Sequence, residues 1–152
     1  MNILVVREDG SYTLRPDTTL ERESRDFYLP DDCVGAVAGR CTYIRLKKAG
    51  KAVGTRFADR YFEGCSDGLL LYGVIAAPGP DGVPQVTPYI DCSTFLNPEM
   101  RQPDESEHRR LAEALSIVTR HTSVRIGDIL CLESSDFLEC PRGGVIDGVS
   151  VI

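Results

Sequence analysis

Long apolar runs are missing from this chain. No stretch approaches the ~20 residues that a membrane span requires. Residues 1–6 reach Arg7 before a secretory leader's apolar region of roughly 7–15 residues can form. The expectation is a cytoplasmic protein with no membrane partner, in which residues 3–6 form an edge strand. Excess positive charge is missing as well. Seventeen Lys and Arg stand against 23 Asp and Glu, a net charge of −6, which opposes phosphate polymers and anionic surfaces. No nucleic-acid partner is expected, and the basic run Arg45-Leu46-Lys47-Lys48 reads as a solvated turn between strands. The cysteines, at 33, 41, 65, 92, 131 and 140, contain no C-x-x-C pair, so the usual zinc spacing is absent. Without a leader, a disulfide framework is not expected; the cysteines read as small buried apolar residues. Histidine is scarce: His108 and His121 only. One nucleophile–base pair, Cys131 with His121, can be drawn. No third group or oxyanion hole is marked beside it, so a helix-end His near a buried Cys is the simpler reading.

What is present suits one domain. A chain of 152 residues buries about 68–70% of its unfolded surface. Fourteen Gly and nine Pro favour a turn-rich fold containing β-structure over a helical bundle. Residues 3–6 and 12–14 read as a hairpin around Asp9-Gly10. Residues 35–46 are the best strand, with Thr42, Ile44 and Leu46 on one face and Cys41, Tyr43 and Arg45 on the other. Thr55 can cap a short helix over 56–63, with Phe57 and Tyr61 on its buried side. Residues 69–77 form a continuous apolar run, hence a strand buried on both faces. Residues 78–82 read as a loop, 86–90 as a strand and 97–103 as a loop. The pattern predicts a helix over 105–121, with Asp104 and Glu107 as a capping box and Leu111, Leu115 and Val118 as its apolar stripe. A strand follows at 129–132, then Gly143-Gly144 and Asp147-Gly148 turns. The sum is α+β, dominated by β, with two short-to-medium helices.

Four segments carry a resemblance to a known family. They are Arg15-Pro16-Asp17-Thr18-Thr19-Leu20; Phe27-Tyr28-Leu29-Pro30; residues 44–62 with their Gly50-Lys51 turn; and residues 114–118 leading into Thr122-Ser123-Val124-Arg125-Ile126-Gly127-Asp128-Ile129-Leu130. In order and spacing they resemble the fumarylacetoacetate hydrolase family, over roughly half the chain. The resemblance implies a mixed β-sandwich roll, usually a homodimer. It also implies chemistry on dicarbonyl acids such as acylpyruvates, in which Mg²⁺, Mn²⁺ or Ca²⁺ stabilises an enolate. A His-Glu pair on an N-terminal lid activates water in that family.

The departures fall on the chemistry. Aligned on Gly50-Lys51, the family's two ligating Glu positions are Gly39 and Cys41, and its third carboxylate position is Leu70. A slip by one residue offers Ala38, Arg40, Leu69 or Leu71 instead. Hard cations require several oxygen donors, and a thiol is soft. The Arg-Asp-x-Gln and Lys-Gly-x-Asp segments are absent, the Thr-Gly-Thr-Pro turn reads Glu133-Ser134-Ser135-Asp136, and the lid is not present in 1–152. The expectation is a single domain with no catalytic residues, no metal ligands and no cofactor. A vestigial pocket remains at Gly39, Cys41, Tyr43 and Leu70. It would be a non-catalytic binding or structural homologue, a homodimer, with a small oxo acid as candidate ligand. The alternative is a divergent hydrolase, isomerase or decarboxylase acting on dicarbonyl acids, with Mg²⁺ or Ca²⁺ held in a rebuilt site drawing on Asp31, Asp32, Asp91 or Glu99. Pro141-Arg142-Gly143-Gly144 could cradle an anion but reads more simply as a hairpin turn. Residues 69–77 could line a ligand pocket, although a core strand explains them without one.

Overall fold

The structure, a computed structural model, describes residues 1–78, 84–86 and 90–152, with the side chains of 1–74 and 93–152. In chain order its strands are β1 Ile3–Val6, β2 Tyr12–Arg15, β3 Leu20–Glu21, β4 Asp26–Phe27, β5 Cys33–Arg45, β6 Ser66–Pro78, β7 Pro84–Val86, β8 Ile90–Leu96, β9 Ile129–Cys140, β10 Val145–Ile146 and β11 Val149–Val151. One α-helix, α1 Glu105–Thr119, lies between β8 and β9. The main sheet is mixed, in the order β2-β1-β9-β5-β6-β8-β3, with β7 on the far end of β6. A small sheet, β10-β11-β4, stands apart from it. No helix among the described residues is long and apolar enough to cross a membrane.

Alternation along β5 decides which core each side chain joins. Ile44 and Leu46 pack with Leu4, Leu115 and Val118 under α1. Ala36 and Ala38, earlier on the same face, pack with Phe27, Leu71 and Val149 against the small sheet. Cys41 and Tyr43 face the other way and join Ile3, Val5, Leu70 and Cys131. The run in β6 is buried on both faces as its composition predicts: Leu69 and Leu71 join one core, Leu70 and Tyr72 another.

Several expectations need correcting. Strand β1 is not an edge: it pairs antiparallel with β2 and parallel with β9, and all four of its side chains are buried. Four consecutive apolar residues need cover on both faces, which an interior position supplies. The helix expected over 56–63 is a 3-10 helix, Thr55–Arg60, with Gly54 rather than Thr55 at its N-cap; a segment this short cannot repay the cost of α-helix nucleation. Phe57 and Tyr61 still pack against the α1 core. Strand β9 runs to Cys140, well past 132. It bulges opposite Arg40: Cys41 pairs Glu133, while Gly39 pairs Phe137. The strand expected over 86–90 falls partly in β7 and β8; 87–89 lie outside the described residues, as do 79–82 of the expected loop.

Helix α1 starts where its capping box predicts. The Glu107 backbone N–H donates to Asp104 Oδ1 (2.8 Å), and the Asp104 N–H donates to Glu107 Oε1 (3.2 Å). Asp104→Ala is expected to lower stability by about 1 kcal/mol, read from urea unfolding. Arg101 clamps the Glu107 carboxylate with two 2.8 Å bonds. That guanidinium, outweighing the cost of partial burial and helped by the Asp104 N–H, lowers Glu107 from the usual 4.5 to about 2. The stabilisation is complete above 4.5 and is lost as pH falls toward about 2. Thermal unfolding from pH 6 to pH 2 should therefore fall less steeply for Arg101→Gln than for the parent.

Candidate functional site

Gly39, Cys41 and Tyr43 alternate along one face of β5, and Leu70 stands across from Gly39 on β6. The fold thus brings together the four residues singled out from the sequence. What they build is packed core. Leu70 is 0% exposed, Tyr43 3% and Cys41 6%, among Ile3, Val5 and Ile129. The Tyr43 hydroxyl donates to the Asn97 carbonyl at 2.6 Å. The Cys41 thiol is pushed well up, first by its hydrogen bond with Cys131 and then by burial.

The space beside Gly39 holds a carboxylate from another strand. A Cβ on Gly39 would stand 2.7 Å from Glu133 Oε2, 3.0 Å from Cδ and 3.2 Å from Cγ. Glycine at 39 is therefore a requirement of Glu133. The Glu133 side chain is 1% exposed. It accepts a hydrogen bond from the Tyr72 hydroxyl, and Arg7 Nε lies 3.5 Å from its Oε1. Burial, and then the Glu133 carboxylate, push the Tyr72 phenol up. Arg15 closes the far side, 2% exposed. Its guanidinium lies 4.6 Å from the centre of the Tyr72 ring. It donates to the Ser93 carbonyl (2.7 Å), Thr94 Oγ1 (3.0 Å) and the Leu71 carbonyl.

Sequence reasoning missed this Arg15–Tyr72–Glu133 cluster. Arg15 looked like the lead of a Pro segment, Tyr72 like one more residue of an apolar strand, and Glu133 like the first residue of a polar turn. The one usable signal was an acidic residue at the end of the apolar run 129–132, opposite a strand that carries a glycine.

Two adjoining cavities, of about 230 and 380 Å³, lie beside this cluster, and Glu133 is its one member on their walls. They share Glu8, Arg110 and Leu132 as walls; Arg7 and Glu133 line the smaller, and Cys41 with the Arg40–Asp147 pair lines the larger. Arg40 grips Asp147 with two bonds of 2.8 and 2.7 Å, which holds that carboxylate below its usual range.

A hard divalent ion does not fit these residues. Gly39, Cys41 and Leu70 offer no side chain, a thiol and an alkyl group, where several oxygen donors are needed. Of the carboxylates nearby, Glu133 is engaged by Tyr72 and faces Arg7, and Asp147 is gripped by Arg40. Among the described residues, no three His, Cys, Asp or Glu side chains are grouped to hold an ion. Asp31, Asp32 and Glu99 are exposed; the Asp91 side chain lies outside the described residues. Cys131 is 0% exposed in the Leu70 core, while His121 stacks on Tyr12 with ring centres 6.2 Å apart, so no nucleophile–base pair forms. The 141–144 segment is a turn, but not the expected hairpin: it carries the chain from β9 in the main sheet to β10 in the small one. Its Gly143 N–H donates to the Val151 carbonyl (2.7 Å) and its Gly144 N–H to the Pro141 carbonyl (3.0 Å), which leaves neither for an anion.

No protein-family model matches the chain, and none of the curated proteins does. Solved structures do match it. A fumarylpyruvate hydrolase from Pseudomonas aeruginosa, solved with Mn²⁺ and pyruvate, is 14% identical at a TM-score of 0.66, covering 99% of this chain and 86% of that one. A 5-carboxymethyl-2-hydroxymuconate delta-isomerase from Mycobacterium smegmatis is 16% identical at 0.64, covering 93% and 69%. A Yersinia pestis CO92 protein assigned to the fumarylacetoacetate hydrolase family is 15% identical at 0.63, covering 99% and 89%. At such identities the likeness establishes the fold.

Proposed function

The chain has the fold of the fumarylacetoacetate hydrolase family, and from that premise we propose that it is a single-domain, non-catalytic homologue serving as a binding or structural module. One observation carries this reading: Glu133 fills the space beside Gly39, where a ligating side chain of β5 would project. Ion-gripped enolate chemistry needs oxygen donors around a cation, and at Cys41 and Leu70 the same wall is a thiol and a leucine inside a core. The adjoining cleft carries Arg7 and Arg110 on its walls beside Glu8, Glu113 and Glu133; a small oxo acid would place its carboxylate on the two guanidiniums. The test is calorimetric titration with Mg²⁺ and Mn²⁺, together with an acylpyruvate panel assayed with and without EDTA. The expected result is neither ion binding nor turnover; micromolar ion binding would overturn the reading.

A second reading has one observation in its favour. Glu133, on the wall of the smaller cavity, accepts a hydrogen bond from the buried Tyr72 hydroxyl, so a rebuilt hydrolase, isomerase or decarboxylase for dicarbonyl acids would have a carboxylate placed for proton transfer. It predicts turnover that Glu133→Gln abolishes.

Assembly as a homodimer is part of the proposal. Tyr28 (70% exposed) and Ile152 (46%) follow the paired ends of β4 and β11, where the Ile152 N–H donates to the Phe27 carbonyl. They form an apolar edge that a second copy would cover. Analytical ultracentrifugation should give a dimer that Tyr28→Asp dissociates.

A further inference from the structure

A cavity of about 640 Å³, larger than either part of the cleft, opens where β5 ends, between residues 45–47, 63–64, 100–102 and 126–127. It shares no lining residue with the cleft, and its volume lies in the range of small-molecule sites. Two apolar side chains on its wall stand out in water, Met100 at 50% and Ile126 at 73% exposure. The charged residues lining it are Arg45, Lys47, Arg101 and Glu63, three positive to one negative, in a chain whose net charge is −6.

These cations are not equivalent. Lys47 is paired with Glu63 at 3.1 Å. Arg101 is held by Glu107 at 2.8 Å and Asp67 at 3.1 Å. Arg45 has no ion pair among the described residues; its Nη1 lies 3.9 Å from Met1 Sδ. An uncommitted guanidinium beside an apolar wall selects for a ligand with both characters. The planar fork of Arg45 suits a carboxylate. The unpaired Arg45 charge repels an ammonium placed beside it, and the apolar wall gives nothing to a bare polyanion.

We propose that this cavity binds a small amphipathic carboxylate, with its apolar part on Met100 and Ile126 and its carboxylate on Arg45. The site is independent of the cleft and of the reading given for it. The test is calorimetric titration of the full chain with octanoate, octylamine and octanol. Octanoate should bind, with the amine and the alcohol weaker by roughly tenfold, about 1.4 kcal/mol. Arg45→Gln should weaken octanoate by about tenfold, and Ile126→Asp should abolish binding. Both side chains are exposed, so circular dichroism should show both variants folded. Octylamine binding as tightly as octanoate, Arg45→Gln binding unchanged, or no octanoate binding by the parent would each overturn the proposal. So would Ile126→Asp splitting a dimer of a parent that binds no octanoate, which would make this face a contact between copies.

Discussion

Leu70→Asp is expected to unfold the protein, and neither Mg²⁺ nor Mn²⁺ is expected to restore it. Leu70 is 0% exposed and packs among Ile3, Val5, Tyr43, Ile129 and Cys131. The change removes an apolar side chain worth about 1.5–3 kcal/mol of burial. It also installs a carboxylate whose effective burial penalty is on the order of several kcal/mol. Together these approach the roughly 5–15 kcal/mol by which a domain of this size is stable. Far-UV circular dichroism and urea unfolding, each with and without ion, read the outcome. A folded variant stabilised by Mg²⁺ would mean that this position still faces a cation site, and the non-catalytic reading would fail with it.

Gly39→Ala carries the second large effect, and its sign depends on Glu133. In the parent, the new methyl group meets the Glu133 carboxylate at 2.7 Å. That carboxylate is 1% exposed and hydrogen-bonded to Tyr72, so its retreat breaks a bond to a charged group, worth about 1.5–3 kcal/mol. Overpacking adds about 1–3 kcal/mol. In a Glu133→Ala background the space is empty, and the same methyl group is expected to be tolerated. A double-mutant cycle by urea unfolding should therefore give a coupling of about 2 kcal/mol. Additive effects would show that Gly39 and Glu133 are not the linked pair described above.

Local chemistry was readable from the sequence; long-range pairing was not. The Asp104–Glu107 box, the Leu111-Leu115-Val118 stripe and the two-faced run of β6 all rest on neighbours within a few residues, and each appears where its pattern places it. Four framework segments were enough to indicate the fold. The 3-10 helix at Thr55–Arg60 escaped because its propensity pattern is the same as that of a short α-helix. The interior position of β1 escaped because its partner β9 is over a hundred residues away in sequence. The candidate site was half legible. Gly39, Cys41, Tyr43 and Leu70 do share one wall. Arg15, Tyr72 and Glu133 come from three separate strands: the register of β5, β6 and β9 sets Tyr72 near Glu133, and Arg15 reaches over from β2 to the Leu71 carbonyl. The bulge opposite Arg40 sets where Glu133 falls, and Ser134-Ser135-Asp136 read as an ordinary polar turn.

The place of β9 in the sheet also orders the protein's assembly in time. It lies between β1 and β5, so two strands made early are joined by one made late. Until residues 129–140 arrive, the β1–β2 hairpin stands alone, a unit that is marginal in water. The β5–β6 pair meanwhile presents an open rim. Any chain halted before β9 carries two such rims and is a template for association with its own kind. Insertion of the late strand closes both at once, which makes slow, topology-limited refolding the natural behaviour of this protein.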